Sequence, residues 1–217
     1  TYQRLGDVFL TLGRTNDALK QFQTLVSHCR ALAEADPRDA QKQRDLSISY
    51  ERLGDVFLKL GRTDDALKQF EASLKIRRVL AEADPSDAQK QRELSISFHR
   101  LGDVFMRLGR TDDALAQFEA GSKISLLLAE ADPRDAQKQR DLMVSHFKLG
   151  EVQVQLGKYD AAIERFQRGM AVVDTMIEQN LLVESAANEK EAAGAASNAA
   201  PALRTRRRDS LCRIDVM

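Results

Sequence analysis

The string Leu-Gly-Asp-Val-Phe begins at Leu5, again at Leu53 and again at Leu101, and Leu149-Gly150-Glu151-Val152 continues the series, always 48 residues on. Residues 36–83 and 84–131 agree at 36 of 48 positions without a gap. Such a chain folds as one short module repeated, and a module that cannot bury its apolar side alone must stack on its neighbours. The repeat predicts units at 1–35, 36–83, 84–131 and 132–179, the first one shortened, followed by a different, Ala-rich segment over 180–217.

Within the second unit Leu46, Tyr50, Leu53, Phe57 and Leu60 step by four, three, four and three, one apolar stripe of a helix. Asp36 and Pro37 are expected to open that helix as N-cap and first-turn residue, with Asp39 placed to favour the helix dipole. Gly61 is expected to close it in a left-handed conformation. Thr63 should then cap a second helix, with Asp64 and Asp65 in its first turn, Ala66, Phe70 and Leu74 facing inward, and an end near Ala83. No alternating strand pattern occurs, so the fold class is all-α: an array of antiparallel helix pairs. Leu53, Phe57 and Phe70 are candidate core residues. Gly54 and Ala66 are small where two helices must approach.

These positions resemble the tetratricopeptide repeat: an aromatic, Leu-Gly, an aromatic, Ala, Phe and a small residue at fixed offsets. The second unit carries them as Tyr50, Leu53, Gly54, Phe57, Ala66, Phe70 and Ser73, and the third as Phe98, Leu101, Gly102, Phe105, Ala114, Phe118 and Gly121. The first has Tyr2, Leu5, Gly6, Phe9, Ala18 and Phe22, with Leu25 in the small place. The fourth has His146, Leu149, Gly150, Ala162, Phe166 and Gly169, with Gln153 replacing the second aromatic. The resemblance covers residues 1–179 and implies a right-handed α-solenoid of antiparallel helix pairs. Its period departs from the usual ~34 residues. The 14 additional residues are close to four helical turns, about two per helix, so the helices should be long. Lengthened variants such as kinesin light chains, and arrays attached to bacterial signalling or effector proteins, are similar.

Charge and composition exclude several functions. The chain's 33 Lys+Arg balance 33 Asp+Glu, which argues against a nucleic-acid or membrane-surface binder. The short cluster Arg204, Arg206, Arg207 and Arg208 does not change that balance. No apolar run approaches the ~18 residues of a membrane span. Thr1-Tyr2-Gln3-Arg4 opens into the pattern rather than a secretory signal, and Cys29 and Cys212 make no disulfide framework, so a reducing, cytoplasmic setting is expected. Thr1 falls partway through a first helix, which suggests a piece of a longer protein. Phosphate-loop, nucleophile-elbow and H-E-x-x-H motifs are missing. Of the three histidines, His28, His99 and His146, the last substitutes for a core-edge aromatic and His99 is expected to be an exposed ring. The expectation is a protein without enzymatic activity, cofactor or metal.

The resemblance assigns the first helix of each pair to a concave groove that binds a partner. A second stripe on that helix supplies the candidate residues: Arg4 and Asp7; Glu51, Arg52, Asp55 and Lys59; His99, Arg100, Asp103 and Arg107; Phe147, Lys148 and Glu151. The strong divergence at Glu51, His99 and Phe147 suits side chains that touch a ligand. Arg52 with Asp55, Arg100 with Asp103 and Lys148 with Glu151 are spaced three apart, as either helix-surface ion pairs or a ladder of mixed charge. Asp7, Asp55, Asp103 and Glu151 stand where the family's carboxylate clamp has Asn, so C-terminal chaperone tails are poor candidate ligands. The expected partner is a protein or peptide, or another domain of the same protein. The alternative is self-assembly through the open ends of the array, giving oligomers or filaments. An Ala-rich capping helix over 186–200 or disorder over 194–217 is expected in the tail.

Overall fold

The computed structural model describes residues 2–181. The capping-helix and disorder expectations for the tail therefore lie outside the described residues. Eight α-helices follow one another: α1 (Tyr2–Thr11), α2 (Thr15–Ala35), α3 (Ala40–Lys59), α4 (Thr63–Ala83), α5 (Ala88–Arg107), α6 (Thr111–Ala131), α7 (Ala136–Gln155) and α8 (Tyr159–Glu178). Each packs on the next in chain order, and α5 also touches α7. The added residues went into helix length: α3 through α8 run 20 or 21 residues each.

The turns obey the repeat. Gly13, Gly61, Gly109 and Gly157 each hold φ of 70–71°, the left-handed conformation that ends the first helix of each pair at little steric cost. The other turn corrects the expected capping. Asp39, Asp87 and Asp135, not the Asp of each Asp-Pro pair, are the N-caps, each accepting the amide hydrogens two and three residues on. Asp36, Asp84 and Asp132 terminate the preceding helices, and each accepts the ammonium of Lys42, Lys90 or Lys138. Thr63 is the first helical residue rather than the cap. Arg62, before it, makes no side-chain cap; it bonds Asp65 and lies over the Phe57 ring.

The core is one continuous cluster crossing the units, with Phe22, Phe70 and Phe118 almost fully buried. Gly6, Gly54, Gly102 and Gly150 let those rings and Phe166 lie against the first helix: a Cβ on Gly54 would meet Phe70 at 2.9 Å. Between units, Gln43, Gln91 and Gln139 donate to the carbonyls of Ala33, Ala81 and Ala129 at 3.1–3.2 Å. This satisfies carbonyls at helix ends that would otherwise lack partners.

Candidate functional site

Charge ties the first helices α3, α5 and α7 to one another at two levels. Arg44 bonds Glu93 and Arg92 bonds Asp141, near the starts of α3, α5 and α7. Farther along, Arg100 bonds Asp55 and Lys148 bonds Asp103. The expected within-helix pairs Arg100–Asp103 and Lys148–Glu151 are thus replaced by a ladder from one unit to the next. The first pair of each junction escaped the sequence reading. Its signal was a repeated Arg followed by an acid: Arg44-Asp45, Arg92-Glu93 and Arg140-Asp141.

Burial and ion pairing balance differently along this ladder. Burial would raise the Glu93 carboxyl, but hydrogen bonds from Arg44 and Gln89 and the nearby Arg77 outweigh it and hold the group low. Burial dominates at Asp55 and raises it, although Arg100, Arg52 and Lys59 all pull the other way.

Glu51, His99 and Phe147 depart most from expectation. They occupy one repeat position, and all three turn toward the second helix of their own pair. Glu51 accepts from Arg77 and Ser73 of α4. His99 lies beside Gly121 of α6 and is only 8% exposed, correcting the expected surface ring. Phe147 packs on Gly169 and near Phe166 of α8. Their variation follows internal packing: Ser73 and Arg77, which bond Glu51, are replaced in the third unit by Gly121 and Ser125, and Gly121 and Gly169 leave room for the rings of His99 and Phe147. Ser97 and Ser145 of the following unit also reach in, bonding Glu51 and His99. Burial, helped by Lys148, lowers the His99 imidazole to about 4. Burial also lowers His146, with Arg165 and Arg168 acting in the same sense. In the first unit the Arg77 place holds Cys29, whose thiol burial pushes up against a hydrogen bond with Ser49.

The stripe therefore divides. Asp55, Arg100, Asp103 and Lys148 pair across units, while Arg4, Asp7, Arg52, Lys59, Arg107 and Glu151 make no ion pair among the described residues. Of these, Arg4, Arg52, Lys59, Arg107 and Glu151 are exposed. Beside them runs an apolar row at one repeat position, Leu10, Leu58, Met106 and Val154, none of them fully buried.

Antiparallel helix pairs, each helix packed on the next along the chain, define an α-solenoid. A tetratricopeptide-repeat family model matches residues 51–104 and another matches residues 145–168. The crystal structure of BtubC (BKLC) from P. vanneervenii is similar over 81% of this chain, at 16% identity and a TM-score of 0.63. The apo form of RapI is similar over 82%, at 15% identity and a TM-score of 0.62. This chain spans 63% of the BtubC chain and 56% of the RapI chain, less than two thirds of either. Among curated protein sequences none matches. The two matched segments are tetratricopeptide repeats, which recur here in units of 48 residues and are of a kind that generally builds protein-interaction scaffolds.

Proposed function

We propose that the row formed by α1, α3, α5 and α7 holds an acidic segment of a partner protein, helical or extended. The observation that supports this is the excess of free cation on that face. Asp55 and Asp103 are already matched within the ladder, leaving Arg4, Arg52, Lys59 and Arg107 against Asp7 and Glu151. The apolar row from Leu10 to Val154 supplies contact area alongside. Such charge steers encounter and sets register, while apolar contact supplies most of the affinity. Heteronuclear NMR of the labelled chain, titrated with a synthetic peptide of Glu and Leu, tests the placement. Shifts gathered around Arg52, Lys59, Met106 and Arg107 support it; shifts confined to the second helices reject it.

A second reading, association of copies, is favoured by the apolar side chains exposed on α8. Tyr159, Ile163 and Met170 are exposed along α8. Light scattering across micromolar concentrations decides it. A mass that rises with concentration and is reset by Ile163→Glu supports association, and a constant monomer mass rejects it.

A further inference from the structure

Both helices of the second unit border an opening at one end of their hairpin. In the second unit this opening is a cleft of about 550 Å³ between the first half of α3 and the last half of α4. It sits at the end of the hairpin where the added turns lie, so a repeat of the usual ~34 residues would not build it. Its apolar lining includes Leu46, Tyr50, Ile76 and Val79, the last 59% exposed. Arg38 and Lys75 stand at its rim, no carboxylate lines it, and neither cation makes an ion pair among the described residues. Arg30 of α2 adds a third charge, its Nη2 donating to the Tyr50 hydroxyl at 3.1 Å.

We propose that this cleft is a second docking site, separate from the row of first helices. Its occupant is a partner segment that places two or three bulky apolar side chains against Leu46, Tyr50, Ile76 and Val79 and its carboxylates beside Arg38 and Lys75. Charge complementarity selects an acidic occupant over a basic or neutral one, because every ionic group at the cleft is a cation. Tyr50 adds selectivity within the array: the equivalent positions in the third and fourth units are Phe98 and His146. A phenol held by Arg30 offers the ligand a polar contact that Phe98 cannot.

The test uses a short fluorescein-labelled peptide of Glu, Leu and Phe carrying benzoylphenylalanine, and the same peptide with Lys for Glu. Photo-crosslinking followed by mass spectrometry locates each peptide on the intact chain. The expected result is crosslinking of the acidic peptide to residues 37–50 and 72–83. Arg38→Glu with Lys75→Glu, both on exposed side chains, should weaken it at least roughly tenfold, equivalent to ~1.4 kcal/mol. Val79→Glu should weaken it similarly, while Arg52→Glu with Arg107→Glu should leave this crosslink unchanged. Equal crosslinking by the basic peptide, or a crosslink to the cleft that survives the Arg38 and Lys75 changes, overturns the proposal. So does crosslinking only to first-helix residues such as 52–59 or 100–107, an outcome that would leave the groove reading standing.

Discussion

Burying His99 makes the array sensitive to mild acid, and the repeat supplies its own control. The imidazole titrates near 6.5 when unfolded and at about 4 in the native chain, chiefly because burial disfavours its charged form. Between those values the unfolded chain binds more protons than the native one, so stability is complete above about pH 7 and declines as the pH falls toward 4. By linkage the loss between pH 7 and pH 5 is roughly 2 kcal/mol from this residue alone. Lys148 opposes protonation of His99, while Asp103 and Asp141 favour it. Burial lowers His146 as well, so it adds to the loss in the same direction. The control is His99→Phe, since the fourth unit places Phe147 against Gly169 where the third places His99 against Gly121. Ser145 loses the ring nitrogen but keeps its hydrogen bond to the Asp141 carbonyl. Urea denaturation of both proteins at pH 7 and pH 5 is the assay. The variant should match wild type within about 1.5 kcal/mol at pH 7 and lose distinctly less on acidification. If it loses as much as wild type, the buried-imidazole account is wrong.

Gly54→Ala should destabilise by about 1–3 kcal/mol despite a gain of up to ~1 kcal/mol in helix propensity. The new Cβ would lie 2.9 Å from the ring of Phe70, which is 2% exposed and has little room to yield; calorimetry checks this. Arg77→Ser alone should cost about 3 kcal/mol or more, because it strips the buried cation from Glu51 and a donor from the Glu93 carbonyl. Combining it with Glu51→His and Ser73→Gly installs the third unit's set and should recover most of the loss in the same denaturation assay. Asp55→Asn should leave the melting temperature unchanged or higher at pH 7. A carboxyl raised by burial favours its protonated form, so its ionisation costs native stability above the ordinary carboxylate range. At pH 3, where the acid is protonated in both states, the difference should vanish.

The sequence exposed the helix pairs clearly because the apolar stripe and the 48-residue period agree on them. Gly61 was legible for a similar local reason: only a left-handed residue ends the helix there. Capping was harder to read, since Asp36 and Asp39 both suit an N-cap and only the path of the chain leaving α2 decides between them. The candidate site was partly legible. Arg52, Lys59 and Arg107 do stand exposed on the first helices, but Glu51, His99 and Phe147 turn inward. Divergence at one position of a repeat looks like ligand contact until its partners are read with it. As Glu51 gives way to His99, its partners Ser73 and Arg77 give way to Gly121 and Ser125, and such a joint change is the mark of packing. The inter-unit ladder was hidden because pairs spaced three apart on one helix compete with pairs 45 or 49 residues apart, and nothing local in the sequence ranks them.

Whether the free cations of the first-helix row hold the partner is answered most directly by one dissociation constant. Fluorescence anisotropy of a labelled Glu- and Leu-rich helix is measured against the wild-type chain and against Arg52→Glu with Arg107→Glu, with circular dichroism confirming that both are folded. The account predicts binding that weakens at least roughly tenfold in the double variant, about 1.4 kcal/mol, and that falls with added salt. An affinity left unchanged by both charge reversals, in a chain with intact helices, would contradict it.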